Sequence, residues 1–242
     1  MPRRYWYVIF TYVIGLFSVN IGAPILLFFG APRDVLALTG IWSLISFPIM
    51  LLLTLYFLRP DMKSSATRNR TDIGMIVLWT IIGFFLVLIA QTIAGNIEIN
   101  IFGVRPDSEN TANLVEIASY MPLFIVITAI IAPILEEVVF RKIIFGSIYQ
   151  KYGSFFLSIV ISSLLFGLLH MEPEHLLRYT AAGLVFAFLY VKTKRILVPI
   201  LTHISVNSFV FIIQFLVPPE EMEKILEQYE QMQSIIGGFI FL

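Results

Sequence analysis

The sequence predicts an all-α fold: a polytopic transmembrane helix bundle of about seven spans, with an amphipathic helix at its C-terminal end. Three observations predict it. Of the 242 residues, 58% are hydrophobic and 13% are charged, about half the charged share of a soluble domain. The mean hydropathy is +0.89. Several apolar runs exceed the roughly 18–20 residues that cross a bilayer, and in lipid a spanning segment that is not a closed barrel must be a helix to satisfy its own backbone.

The first run has Arg3 and Arg4 ahead of it, as a signal peptide would, but it continues to about Phe29. That is too long for a cleaved segment, so it reads as a first span over 5–29. The others follow at 35–58, 73–94, 119–145, 154–170, 176–191 and 196–217. The joints carry turn-forming residues: Gly30-Ala31-Pro32, Arg59-Pro60-Asp61, Gly95-Asn96, Tyr152-Gly153 and Glu172-Pro173-Glu174. After Pro218-Pro219, Met222, Ile225, Leu226 and Tyr229 recur at helical spacing in an acidic stretch. An amphipathic segment over 218–242 is expected there. No linker divides the chain, so residues 1–242 are read as one membrane-embedded domain.

Charge assigns the sides. Arg3 and Arg4; Arg59, Lys63, Arg68 and Arg70; Lys142 and Lys151; and Lys192, Lys194 and Arg195 fall in alternate loops. The positive-inside rule then gives a cytoplasmic N-terminus in an integral, multi-pass protein, in the plasma membrane of a bacterial source. Sixteen basic residues balance sixteen acidic ones, which excludes the basic surface a nucleic-acid partner needs. The absence of cysteine excludes disulfides and thiolate chemistry.

Ionisable residues inside spans are costly and ask for a reason. They cluster as Glu136, Glu137 and Arg141 in the fourth span, His170 at the end of the fifth, and His203 with Asn207 in the seventh. The first half of the chain offers nothing comparable within its expected spans, so chemistry is expected at 119–217. Glu137 and Arg141 are four apart and share a helix face. Glu136 points about 100° away from Glu137, free to face a cavity as a general base. The alternative is one buried salt-bridge network that keeps the helices in register. Phe166 and His170, and His203 and Asn207, are also four apart. Histidine and carboxylate are ordinary zinc ligands, which makes Glu136, His170 and His203 candidates for zinc or another divalent metal. Asn207 is a candidate oxyanion donor. Interhelical hydrogen bonding is the plainer account of each histidine. His175, beside Glu172 and Glu174, is expected in solvent, and Ser162, Ser163, Ser205 and Ser208 are expected to bond back to the backbone.

The order Glu136-Glu137-x-x-x-Arg141, Phe166-x-x-x-His170, His203-x-x-x-Asn207 resembles the CPBP (Abi) family of intramembrane proteases. That family includes CAAX prenyl proteases of the Rce1 type and bacteriocin-processing or immunity proteins. The resemblance implies an endopeptidase acting on a membrane-associated protein or peptide. In it Glu136 would activate water with His170, His203 and Asn207 would stabilise the oxyanion, and Glu137, Arg141 and Phe166 would support the site. The resemblance is compatible with two mechanisms, one metal-dependent and one in which the glutamate works without a tightly held metal. Two other readings stand beside it: a non-catalytic immunity or partner-binding membrane protein, and a proton-coupled transporter, against which no inverted repeat is found.

Depth adds one constraint. At about 1.5 Å per residue, Glu136 and His170 lie level, some 22–24 Å either side of the turn near Tyr152, and His203 about 12 Å beyond Arg195. They match if that turn projects roughly 10 Å into the cytoplasm, which favours cytoplasmic access. The chain between His170 and Lys192 is then too short for a full climb and return, so either the fifth and sixth helices stop short of the outer face or the site lies deeper.

Overall fold

The computed structural model describes residues 1–63 and 72–217, together with Glu221, Lys224 and Gln228. The rest of the expected amphipathic segment over 218–242, and Arg68 and Arg70, lie outside the described residues. All regular structure among the described residues is helical.

The expected first span is two helices, α1 (Arg3–Phe17) and α2 (Val19–Phe28), bent by 47°. Ser18 lies at the break. Its Oγ donates to the Gly15 carbonyl at 2.6 Å and accepts from Trp42 Nε1 at 2.8 Å, a back-bond of the kind that bends helices. α3 (Val35–Phe57) is started by Asp34, whose carboxylate accepts from Ala37 N at 2.7 Å. One turn, α4 (Arg59–Lys63), follows it.

α5 (Ile73–Phe102) is longer than the expected 73–94 span. Gly95-Asn96 does not end it. Asn96 and Asn100 donate to their own helix, to the carbonyls of Thr92 (2.7 Å) and Asn96 (2.8 Å), and the helix stops only at Gly103, whose φ of +67° closes a left-handed cap. Its two faces differ by design of spacing. Ile81, Phe85, Ile89 and Ile93, four apart, are all more than half exposed, whereas Gly83, Val87, Ala94 and Glu98 are buried. An apolar stripe turned outward is what lipid requires.

α6 (Glu109–Tyr120) is a separate helix, not the start of the expected fourth span. That span is a run of consecutive helical pieces: α7 (Phe124–Val126), a π-helical turn at Ile127–Ile131, α8 (Ala132–Glu137), a second π-helical stretch at Val138–Phe145, and α9 (Gly146–Tyr152). Pro133 lacks the N–H that would close the preceding α-turn, and the first π-helical turn lies directly before α8. Such bulges recur at functional sites.

α10 (Phe155–Leu168), α11 (Leu176–Thr193) and α12 (Leu197–Leu216) complete the bundle. Among the described residues four helices, α3, α5, α12 and the helix over Pro173–Thr193 that contains α11, are long and apolar enough to cross a membrane, and the bent α1–α2 pair is a fifth if it is taken as one span. α10, at 14 residues, is shorter than a full span, whereas the sixth helix over Pro173–Thr193 is long enough to cross, so only one of the two helices that the depth constraint questioned is short.

α10 and α11 approach closely through glycine. A Cβ on Gly183 would lie 3.0 Å from the Ser163 Cα and 3.3 Å from the Phe166 ring. Small residues at such crossings let backbones meet. Gly183→Ala is therefore expected to push the pair apart and cost about 1–3 kcal/mol. A fall in detergent-solubilised melting temperature checks this, and an unchanged melting temperature would contradict it.

Candidate active site

The site is built around one buried carboxylate. Glu137, at the end of α8, has no exposed side-chain surface. Its Oε2 lies 3.0 Å from Arg141 Nε one turn on, the i,i+4 pairing the spacing predicts, and its Oε1 accepts from His203 Nδ1 of α12 at 3.1 Å. Arg141 is equally buried. Its Nη1 donates to Ser162 Oγ at 3.3 Å, and its guanidinium carbon sits 4.8 Å from the Phe166 ring centre and 5.6 Å from that of Phe186. Ser162, expected to bond its own helix, instead donates across the bundle to the Phe140 carbonyl at 2.7 Å. Ser205 does bond back, to Leu201 O.

Phe166 is the hub of this packing. Its ring meets those of Phe140, Phe186, His170 and His203 at centroid distances of 5.4, 6.0, 4.9 and 5.7 Å. Both imidazoles therefore lie against one phenyl ring, and the histidines of two helices converge.

Each histidine has its tautomer set by an acceptor. His170 follows the end of α10, and its Nδ1 donates to the Phe166 carbonyl at 2.9 Å. A carbonyl only accepts, so Nε2 is left as the reactive nitrogen. His203 spends Nδ1 on Glu137 and stacks on Phe186 at 4.6 Å. Its Nε2 faces Glu136 Oε2 at 3.7 Å. Glu136 is 17% exposed on its side chain where Glu137 is 0%, so the two adjacent glutamates divide into one enclosed and one open to the site. Asn207, one turn past His203, gives one amide N–H to the Thr128 carbonyl of the first π-helical turn at 3.1 Å, and its second N–H remains. Among the described residues no three His, Asp or Glu side chains gather as a metal ion would need. Glu136, His170 and His203 do not form such a set.

A second polar cluster lies where the spacing promised none. Glu98 is 1% exposed within α5. Its Oε1 accepts from Arg178 N at 2.9 Å, and its Oε2 lies 3.4 Å from Arg178 Nε and 3.5 Å from His175 Nδ1. Glu98 thus caps the first turn of α11 from another helix. His175, expected in solvent, is 2% exposed, its Nε2 donating to the Asp107 carbonyl at 2.9 Å. Glu172 does for α6 what Glu98 does for α11. It accepts from Asn110 N (2.8 Å), Ser108 Oγ (2.9 Å) and Tyr179 Oη (2.5 Å). Burial pushes its carboxyl up, but those hydrogen bonds outweigh burial and hold it below the ordinary value of 4.5. These partners are more than sixty residues apart in several cases, beyond any local spacing rule. The one signal available was an acid two residues past His170, next to an apolar run.

Removing one member of a buried pair strands the other's charge, at about 3–5 kcal/mol. Arg141→Met is expected to lose that much, and the Glu137→Gln/Arg141→Met double variant to recover most of it. Denaturant unfolding in micelles measures both, and an equally unstable double variant would contradict the pairing.

Residues 118–209, which hold every motif above, match the family described as type II CAAX prenyl endopeptidase Rce1-like. Over 98% of its length the chain is 46% identical to the Bacillus subtilis (strain 168) protein named "Putative membrane peptidase YdiL", covering 99% of that protein. It is 39% identical to the "Membrane-embedded CAAX protease MroQ" of Staphylococcus aureus (strain USA300), over 63% of this chain and 64% of MroQ. No solved structure matches. With its apolar helices and these relatives, the chain is an integral membrane protein and belongs to the Rce1-like CAAX protease family.

Proposed function

We propose that the protein is an intramembrane endopeptidase that hydrolyses a peptide bond of a membrane-associated protein or peptide, with Glu136 activating the attacking water. One observation carries this reading above the others. Glu137 is committed on both oxygens, to Arg141 and His203, while Glu136 keeps a partly open carboxylate 3.7 Å from His203 Nε2. A merely structural acid pair has no need to leave one member open. The relatives named for a membrane peptidase and a membrane-embedded CAAX protease support the same reaction class.

In this reading Glu136 takes a proton from water as the oxygen bonds to the scissile carbonyl carbon. His170 Nε2, the nitrogen left free by the Phe166 carbonyl, orients that water. The tetrahedral oxyanion is stabilised by the second N–H of Asn207 and by His203, which in this step carries a proton on Nε2 as well as the Nδ1 proton it gives to Glu137. The carbon–nitrogen bond then breaks, the leaving amine takes the proton held by Glu136, and acid and amine products separate. The topology belongs to the same proposal. Seven crossings with the N-terminus in the cytoplasm put Lys142, Lys151, Lys192, Lys194 and Arg195 on the cytoplasmic side, with the broken helix over 124–152 and the short α10 as inner crossings.

Glu136→Gln keeps the shape and removes the base. It is expected to lower cleavage by about 10²–10⁴-fold with the melting temperature unchanged. The assay is proteoliposomes with a library of quenched fluorescent peptides carrying an apolar segment. Full activity in the variant would overturn the mechanism.

A further inference from the structure

His170 is stacked face to face on Tyr179, their rings 3.9 Å apart and 19° from parallel. Neither side of that stack is free to drift. On the His170 side, the Phe166 carbonyl fixes Nδ1 and the Phe166 ring meets the imidazole edge-on at 4.9 Å. On the Tyr179 side, the phenol donates to Glu172 Oε2 at 2.5 Å, and Glu172 is 7% exposed and also bound by Ser108 and Asn110 at the start of α6. The chain makes this possible by turning sharply between the histidine and the glutamate. Met171 sits at φ +59°, the left-handed region that a residue with a side chain enters at a cost, and such costs collect at functional sites.

We infer that Tyr179 is a positioning residue for the reaction, holding the plane of the His170 imidazole so that Nε2 points at the attacking water, and that Glu172 acts through it by anchoring the phenol. The inference rests on the proposed part of His170 in hydrolysis. Hydrogen bonding through Nδ1 leaves the imidazole free to swing about that bond, and the phenol ring removes that freedom. An ångström of misplacement in such a group costs up to about 100-fold in rate. The Glu172 carboxylate ties the device to the α5–α6 connection through Ser108 and Asn110; His175 donates to Asp107 O and Arg178 Nη1 to Pro106 O at 3.3 Å, so the α5–α6 loop and the site wall are one unit.

The test compares Tyr179→Leu, which removes the ring, with Tyr179→Phe, which keeps the ring and loses only the anchor. Both are assayed on a peptide that the unaltered protein cleaves, with Glu136→Gln in parallel. Tyr179→Leu is expected to lower kcat by about 10- to 100-fold with KM within about threefold. Tyr179→Phe is expected to recover most of that loss. Glu172→Gln is expected to add nothing further in the Tyr179→Phe background. The chain has only three histidines, so their ring-proton resonances can be followed without any substrate: His170 should lose an upfield ring-current shift in Tyr179→Leu and keep it in Tyr179→Phe. An unmoved His170 resonance in Tyr179→Leu would overturn the stack whatever the activity. An unchanged kcat with a moved resonance would overturn its role in positioning. Should Tyr179→Leu not fold, Tyr179→Phe decides alone, by whether its rate falls measurably and Glu172→Gln stays silent in it. Continued cleavage by Glu136→Gln would instead remove the hydrolytic reading, and the inference with it.

Discussion

The Glu137 carboxylate governs this structure. It has no solvent and serves two partners, Arg141 on its own helix and His203 on α12. Each partner alone would be expensive to bury. Together they bind the 124–152 helix to α12, and Arg141 extends the reach to α10 through Ser162 and to α11 through the face of Phe186. Four helices thus share one compensated charge. Because both Glu137 oxygens are spent, Glu136 remains the carboxylate turned to the site.

The helices make room for this arrangement in unequal ways. α10 is short and packs against α11 through Gly183, which sets the Phe166 ring against Phe186, while the Phe166 carbonyl meets His170 one turn on along the same chain. The π-helical turn at Ile127–Ile131 presents the Thr128 carbonyl to Asn207. Outside the reacting groups, Glu98 and Glu172 cap helix starts that would otherwise bury unpaired N–H groups. The same two acids fix the α5–α6 connection against the wall that carries Tyr179.

Much of the site was legible in the sequence because its rules are local. The four-residue spacing of Glu137 and Arg141 did give a pair, and the costliness of ionisable groups in apolar spans singled out His170 and His203. The all-helical membrane class was equally plain from the length of the apolar runs, but of the seven expected spans the described residues hold four helices long and apolar enough to cross, or five with the bent α1–α2 pair taken as one. What spacing could not show was long-range. Glu98 falls beyond the expected 73–94 span because Gly95-Asn96 looks like a break, yet the asparagine side chains satisfy their own helix and α5 continues; His175 reads as solvated because it lies beside Glu172 and Glu174, yet it is buried. Trp42 reaches the Ser18 hydroxyl at the break from another helix, and a left-handed residue at Met171 stands between His170 and the helix that carries Tyr179. Nothing local announces either.

His203 is held by Glu137 through Nδ1 and turns Nε2 toward Glu136. Ring-nitrogen NMR with isotope-labelled histidine tests it most directly in a chain with three histidines. A hydrogen-bonded proton is expected on His203 Nδ1, with resonances that move in Glu137→Gln while those of His175 stay in place. A His203 ring bare of a proton at Nδ1, or indifferent to Glu137, would contradict it.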